Sequence, residues 1–124
     1  MKNINIQFID QKYQRFNNIG QVGDYWETDT SIEFRITKFD NPAYSYAILL
    51  HELHEKFRNN QLGIKDEDVD AFDSAHPELD DPGLSKEAPY HKTHMEADCI
   101  ERQYIVSSGN DWVDYEAAIE KETT

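Results

Sequence analysis

Five histidines fall between positions 51 and 94, and acids crowd the two segments that carry most of them. In His51-Glu52-Leu53-His54-Glu55, His51 and Glu55 are four residues apart. On a helix that spacing points both side chains the same way, so the pair can clasp one metal ion. Glu52 sits about a quarter-turn away, where it can serve as a general base or as a ligand to a second ion. Further on, His91, His94, Asp98 and Glu101 recur at helical spacing as one stripe beside Ala97, Ile100 and Tyr104. His94 and Glu101 therefore border an apolar face, where a facing helix can meet them. Two helices with His and Glu on inward borders make a metal site between them. The expected ligands are His51, Glu55 and His94, with Asp73 or Glu101 completing or orienting them and Glu52 activating water. Two imidazoles suit Zn²⁺, whereas one imidazole with several carboxylates suits Mn²⁺ or Mg²⁺. Ligand atoms on the two helices should then lie ~3–4 Å apart. The competing readings are a His–Glu hydrogen-bond network and a surface cluster in which Glu52 pairs with Lys56.

The elements that must hold these residues divide the chain in two. Ile4, Ile6 and Phe8 alternate with polar residues, as do Ile32, Phe34 and Ile36, which marks half-buried strands. Segments 22–28 and 31–39 read as an antiparallel pair joined near Asp29-Thr30. Asn41-Pro42 starts a helix, with Asn as the cap and Pro at the first position, and it runs from 43 to about 58. Its expected core face is Tyr46, Leu49, Leu50, Leu53 and Phe57. Ile48 and Tyr44 suggest cover on the side of His51 as well. A short helix over 66–75 turns Val69 and Phe72 inward. Four punctuating residues (Pro77, Pro82, Gly83, Pro89) make 76–90 an irregular loop. Helices over 91–107 and 111–121 follow, the last capped by Asn110. The expectation is an α+β fold in one domain, 1–124. A small N-terminal antiparallel β-sheet (1–40) packs against three to four α-helices (41–124).

Composition limits the function classes. The 124 residues include 25 Asp and Glu against 12 Lys and Arg, a net charge of −13, which disfavours direct nucleic-acid binding. Residues 66–81 hold eight of the acids (Asp66, Glu67, Asp68, Asp70, Asp73, Glu78, Asp80, Asp81) and no Lys or Arg. That stretch reads as a solvated face, or as a surface for a basic protein partner. The longest strongly apolar run, Tyr46–Leu50, falls far short of the ~20 residues that span a membrane. The first residues lack a signal-peptide pattern, and the single Cys99 cannot form an internal disulfide, so the expected compartment is a reducing cytoplasm, which the resemblance given below would make that of a bacterial host. Cys99 itself reads as a core filler. No Gly-rich nucleotide loop, GxSxG or EF-hand is present.

An ordered set of residues carries a resemblance. HELHE (51–55), Gly63-Ile64, Val69-Asp-Ala-Phe-Asp73, Pro82-Gly83, Ala88-Pro-Tyr90, His94, Ala97, Ile100-Glu101 and Trp112 with Tyr115 resemble a family of small proteins of unknown function from phages and prophages. Val22-Gly-Asp-Tyr-Trp26 matches its upstream segment. The resemblance brings no activity, but it implies that His51, Glu52, Glu55, Asp73, His94 and Glu101 form one site. HELHE also resembles the HExxH helix of zinc peptidases, with Glu55 standing where the second His belongs. Glu52-x-x-Glu55 followed by Asp70-x-x-Asp73 is similar to the acid pairs with which MazG-like nucleotide pyrophosphatases hold Mg²⁺. The expected activity is therefore a metal-dependent hydrolysis of a small molecule or peptide. The alternatives are a nucleotide pyrophosphatase using Glu52, Glu55, Asp70 and Asp73, and a non-enzymatic acidic inhibitor.

Overall fold

The computed structural model describes residues 1–123. Three strands come first, β1 (Asn3–Ile9), β2 (Gly23–Glu27) and β3 (Ser31–Thr37). Four helices follow, α1 (Pro42–Gln61), α2 (Asp66–Ala75), α3 (His91–Ser107) and α4 (Trp112–Thr123). The fold is α+β, as the two-part pattern predicts.

The sheet is mixed, where an antiparallel one was expected. Its order is β1-β3-β2. β2 and β3 form the expected antiparallel pair, with Tyr25 opposite Phe34, but β1 lies parallel to β3, with Ile6 beside Phe34. The cause is the connection at 10–22. A tight turn would have paired β1 with β2. This longer segment instead spans the width of one strand, and β3 inserts into the gap. Gln14 pins the crossing: its buried amide nitrogen donates to Val22 O, Arg35 O and Thr37 Oγ1 at 3.1, 3.2 and 3.1 Å. Local alternation predicts strands well. It says nothing about which strand enters between which.

β3 turns Ile32, Phe34 and Ile36 toward α1, where Leu49, Leu53 and Phe57 pack on them. Asn41 caps α1 as expected, its side-chain oxygen accepting the Ala43 N–H at 3.0 Å. The deeper face of α1 is the opposite of the one that hydrophobic spacing favours. Ser45, Ala47, Ile48, His51, Glu55, Lys56 and Asn59 are buried, while Tyr46, Leu49, Leu50, Leu53 and Phe57 are only half-buried or exposed. α3 covers that polar side of α1, burying Thr93, His94, Ala97, Glu101 and Ile105. Ala47 and Ala97, both fully buried, are small enough to permit close helix packing. Cys99, expected in the core, is exposed, because the buried stripe of α3 runs through Ala97 and Glu101 instead. The last helix is capped by Asp111, whose carboxylate accepts the Asp114 N–H at 3.0 Å. Asn110, the expected cap, bonds Ser108 and Asn41. No described helix is long and apolar enough to cross a membrane.

Candidate metal centre

Three donor atoms converge where α1 meets α3. His51 Nε2 is 3.1 Å from Glu55 Oε2 and 3.2 Å from His94 Nδ1, and His94 Nδ1 is 2.9 Å from the same Glu55 oxygen. The four-residue spacing on α1 supplies two corners of this triangle, and α3 supplies the third. One ion with bonds of about 2.0–2.2 Å holds neighbouring ligand atoms roughly 2.9–3.5 Å apart, so the triangle has the right size. His51, Glu55 and His94 are all buried.

Each corner is held from behind. On His51, Nδ1 donates to Glu101 Oε1 at 2.7 Å, and the Tyr115 hydroxyl donates to the other Glu101 oxygen. On His94, Nε2 lies 3.0 Å from Asp81 Oδ1. A carboxylate accepts only from N–H, so Glu101 and Asp81 put protons on the outer nitrogens, while both inner nitrogens face the one Glu55 oxygen and would turn lone pairs inward only around a bound cation. Behind Glu55, the Tyr25 hydroxyl donates to Oε1 at 2.6 Å. Tyr25 in turn accepts from Asn59 Nδ2 at 3.0 Å, and Asn59 Oδ1 accepts from Thr93 at 2.5 Å. One Glu55 oxygen is thereby committed to the protein, and the other is left for the centre of the triangle.

A second grouping uses the outer side of both rings. His51, His94 and Asp98 offer ligand atoms that all lie within 4.8 Å of one another, enough to make a metal-binding cluster. Asp98 Oδ1 is 3.3 Å from His51 Nδ1, and Asp98 Oδ2 is 3.6 Å from His94 Nε2. Those nitrogens also face Glu101 and Asp81, so Asp98 shares the outer side of both rings with two further carboxylates.

The electrostatics follow from this crowding. Burial pushes both imidazoles toward neutrality, but bonds to carboxylates outweigh it. They raise His51 well above the ordinary value and His94 to about 10. Burial likewise pushes Glu55 up, and the two histidines overcome that and hold it low. Two imidazolium N–H groups facing each other across 3.2 Å would set like charges together. A cation among the three donors removes that conflict.

Glu52 stands beside the triangle. Burial, with the nearby Glu55 charge second, raises its carboxyl well above the ordinary range. It lies against Gly23, where an added Cβ would come within 2.6 Å of Glu52 Oε1, so only glycine leaves room for it. Asp73 accepts the Tyr90 hydroxyl. Burial raises it to about 6. Asp70 is paired with Arg15 at 3.3 Å. Lys56, the sequence-based partner of Glu52, bonds Glu27 and Asp66 instead. His54 and Arg58 share Glu96 on another side of α1.

Spacing thus brings His51, Glu55, His94 and Glu101 together. It misses Tyr25, Asp81, Asn59, Thr93 and Tyr115. Asp81 was expected among solvated acids and could not be told from its neighbours in the 66–81 run. Tyr25 did leave a signal, since a tyrosine on the inward face of a strand needs a partner for its hydroxyl. No family model matches this chain, and neither does any curated protein or solved structure.

Proposed function

We propose that this protein binds one divalent metal ion through His51 Nε2, Glu55 Oε2 and His94 Nδ1 and uses it to hydrolyse a small-molecule or peptide substrate. The observation that carries the reading is the triangle of donors with sides of 2.9, 3.1 and 3.2 Å, built from two helices. The carboxylates behind both imidazoles support it, because metal-binding histidines almost always donate their second N–H to such a partner. Two nitrogens and one oxygen favour Zn²⁺. Three protein ligands leave a coordination position for water, as in catalytic rather than structural zinc sites. A zinc ion held there would lower the pKa of its bound water to about 7, and Glu52, next to His51 on α1, would take that proton once the ion's charge offsets the burial and the Glu55 charge that raise its carboxyl. The MazG-like alternative finds less support, since Asp70 is paired with Arg15 and Asp73 with Tyr90. Kinship with the phage family remains part of the same proposal.

Metal analysis of the purified protein tests the binding step, and zinc titration into chelator-treated protein gives its stoichiometry. One ion per chain is expected, lost in His94→Ala, together with a chelator-induced fall in melting temperature that His94→Ala no longer shows. Hydrolysis of a panel of ester, phosphoester and peptide substrates tests the chemistry. Glu52→Gln should keep the ion and lose turnover. A wild type that takes up no ion and melts alike with and without chelator would reduce the cluster to a hydrogen-bond network.

A further inference from the structure

Strand β1 ends the sheet, and among the described residues its outer edge meets no other strand. The Asn3 N–H donates to Thr30 O, and Ile9 O accepts the Lys38 N–H, so both residues turn their backbone groups toward the β3 side. Backbone direction alternates along a strand. Ile4, Ile6 and Phe8 therefore point N–H and C=O outward. Their side chains share the helix-facing side of the sheet with Ile32, Phe34 and Ile36. They nonetheless remain 39, 42 and 45% exposed, because α1 lies over β2 and β3. The apolar surface continues into a groove of about 270 Å³ where Phe8 meets Phe39, Pro42 and Tyr46.

Open edges are normally blunted by a charge, a proline or a bulge. Between Asn3 and Ile9 there is neither a charged residue nor a proline. We propose that a second copy of this chain occupies the edge, its β1 pairing antiparallel with this β1 about a two-fold axis at Ile6. That register sets Ile6 against Ile6, and Ile4 against the second copy's Phe8. All three residues use their outward backbone groups, each facing pair exchanging both hydrogen bonds. Charge is compatible with the same arrangement, although Lys2 Nζ is held by Glu27 within its own chain. Lys2 of each copy comes opposite Asp10 of the other, and no like charges meet between them. A chain with a net charge of −13 repels its own copy over most of its surface, and β1 is a segment free of that repulsion. The product is a continuous six-stranded sheet whose joined apolar strip is flanked by the two α1 helices.

Light scattering or sedimentation equilibrium on the wild-type protein should give twice the mass of one chain. Ile6→Lys and Ile6→Glu should each be monomeric and still bind metal, since position 6 meets only itself and like charges then face each other across the axis. An equimolar mixture of the two variants should recover the doubled mass. On wild-type protein, hydrogen exchange at the Ile4, Ile6 and Phe8 amides should be slow when concentrated and fast on dilution, which keeps the test open should a variant fail to fold. A monomeric wild type, a dimer that survives both substitutions, or exchange at those amides that ignores concentration would overturn the proposal.

Discussion

The two nitrogens of His94 face opposite surroundings. Nδ1 looks into the donor triangle, and Nε2 looks out at Asp81. Glu55 is divided in the same way, one oxygen inward and one on Tyr25. A side chain with one functional atom fixed by the protein presents the other in a single direction, and that preorganisation raises metal affinity. Tyr25→Phe keeps the ring beside Phe34 and removes only the hydroxyl that holds Glu55. Zinc affinity should fall about 10–100-fold, read by competition with a chromogenic chelator. Unchanged affinity would mean that the tyrosine does not steady the carboxylate. At this scale the donors were legible because helical spacing fixes direction over one turn. Their supports come from the sheet, a loop and α4, and no local period connects those to position 55.

Among the elements, α1 does two jobs with two faces. One face rests on β3, and the other carries His51 and Glu55 toward α3. Hydrophobic spacing identified the first face correctly as apolar but misjudged its depth. A polar face can be buried more deeply when each group finds a partner, and here Glu101, Asp66 and Thr93 provide partners for His51, Lys56 and Asn59. Cap and breaker residues located the helices, and α2 and α3 fall where the sequence sets them. Strand order was not legible, since it depends on a crossing between distant segments. Phe34, almost wholly buried, contacts both Tyr25 and Phe57 and so joins the sheet to α1. Phe34→Ala should cost about 3–5 kcal/mol in urea unfolding. The loss should be the same with and without zinc if the variant keeps its affinity for the ion, and larger with zinc if that affinity falls. A cost below about 1 kcal/mol would show that the interface can collapse around the missing ring.

For the whole molecule, the acid excess is less uniform than composition implies. Within 66–81, Asp66, Asp70, Asp73 and Asp81 each bind a neighbour, while Glu67, Asp68, Glu78 and Asp80 are exposed. Acid should therefore unfold the protein through a few paired groups. Hydrogen bonds from Lys2 and Lys56 hold the Glu27 carboxyl near about 2, below its ordinary 4.5. A lowered native value means the stabilisation is complete above the ordinary pKa and disappears as pH falls from 4.5 toward about 2. Glu27→Gln should lower stability at pH 7 by about 1 kcal/mol or less, because solvent reaches the pair. The difference from wild type should shrink toward zero near pH 2, in melting curves collected across that range. A difference independent of pH would assign the loss to packing.

The backbone over His94 bears on the timing of any exchange at the centre. Gly83 lies flat on that ring, where a Cβ would come within 2.3 Å of a ring carbon, and its carbonyl is tied to His91 Nδ1 at 2.9 Å. The floor beneath is two long helices, and the roof is one bare peptide in a short 3-10 turn, Pro82–Leu84, within the segment expected to be irregular. Two helices packed over several turns are harder to part than a short turn, which moves through a few dihedral angles. An ion held beneath it would enter and leave past this turn while the helices set how tightly it is held, so residence time and affinity would be governed by different parts of the chain.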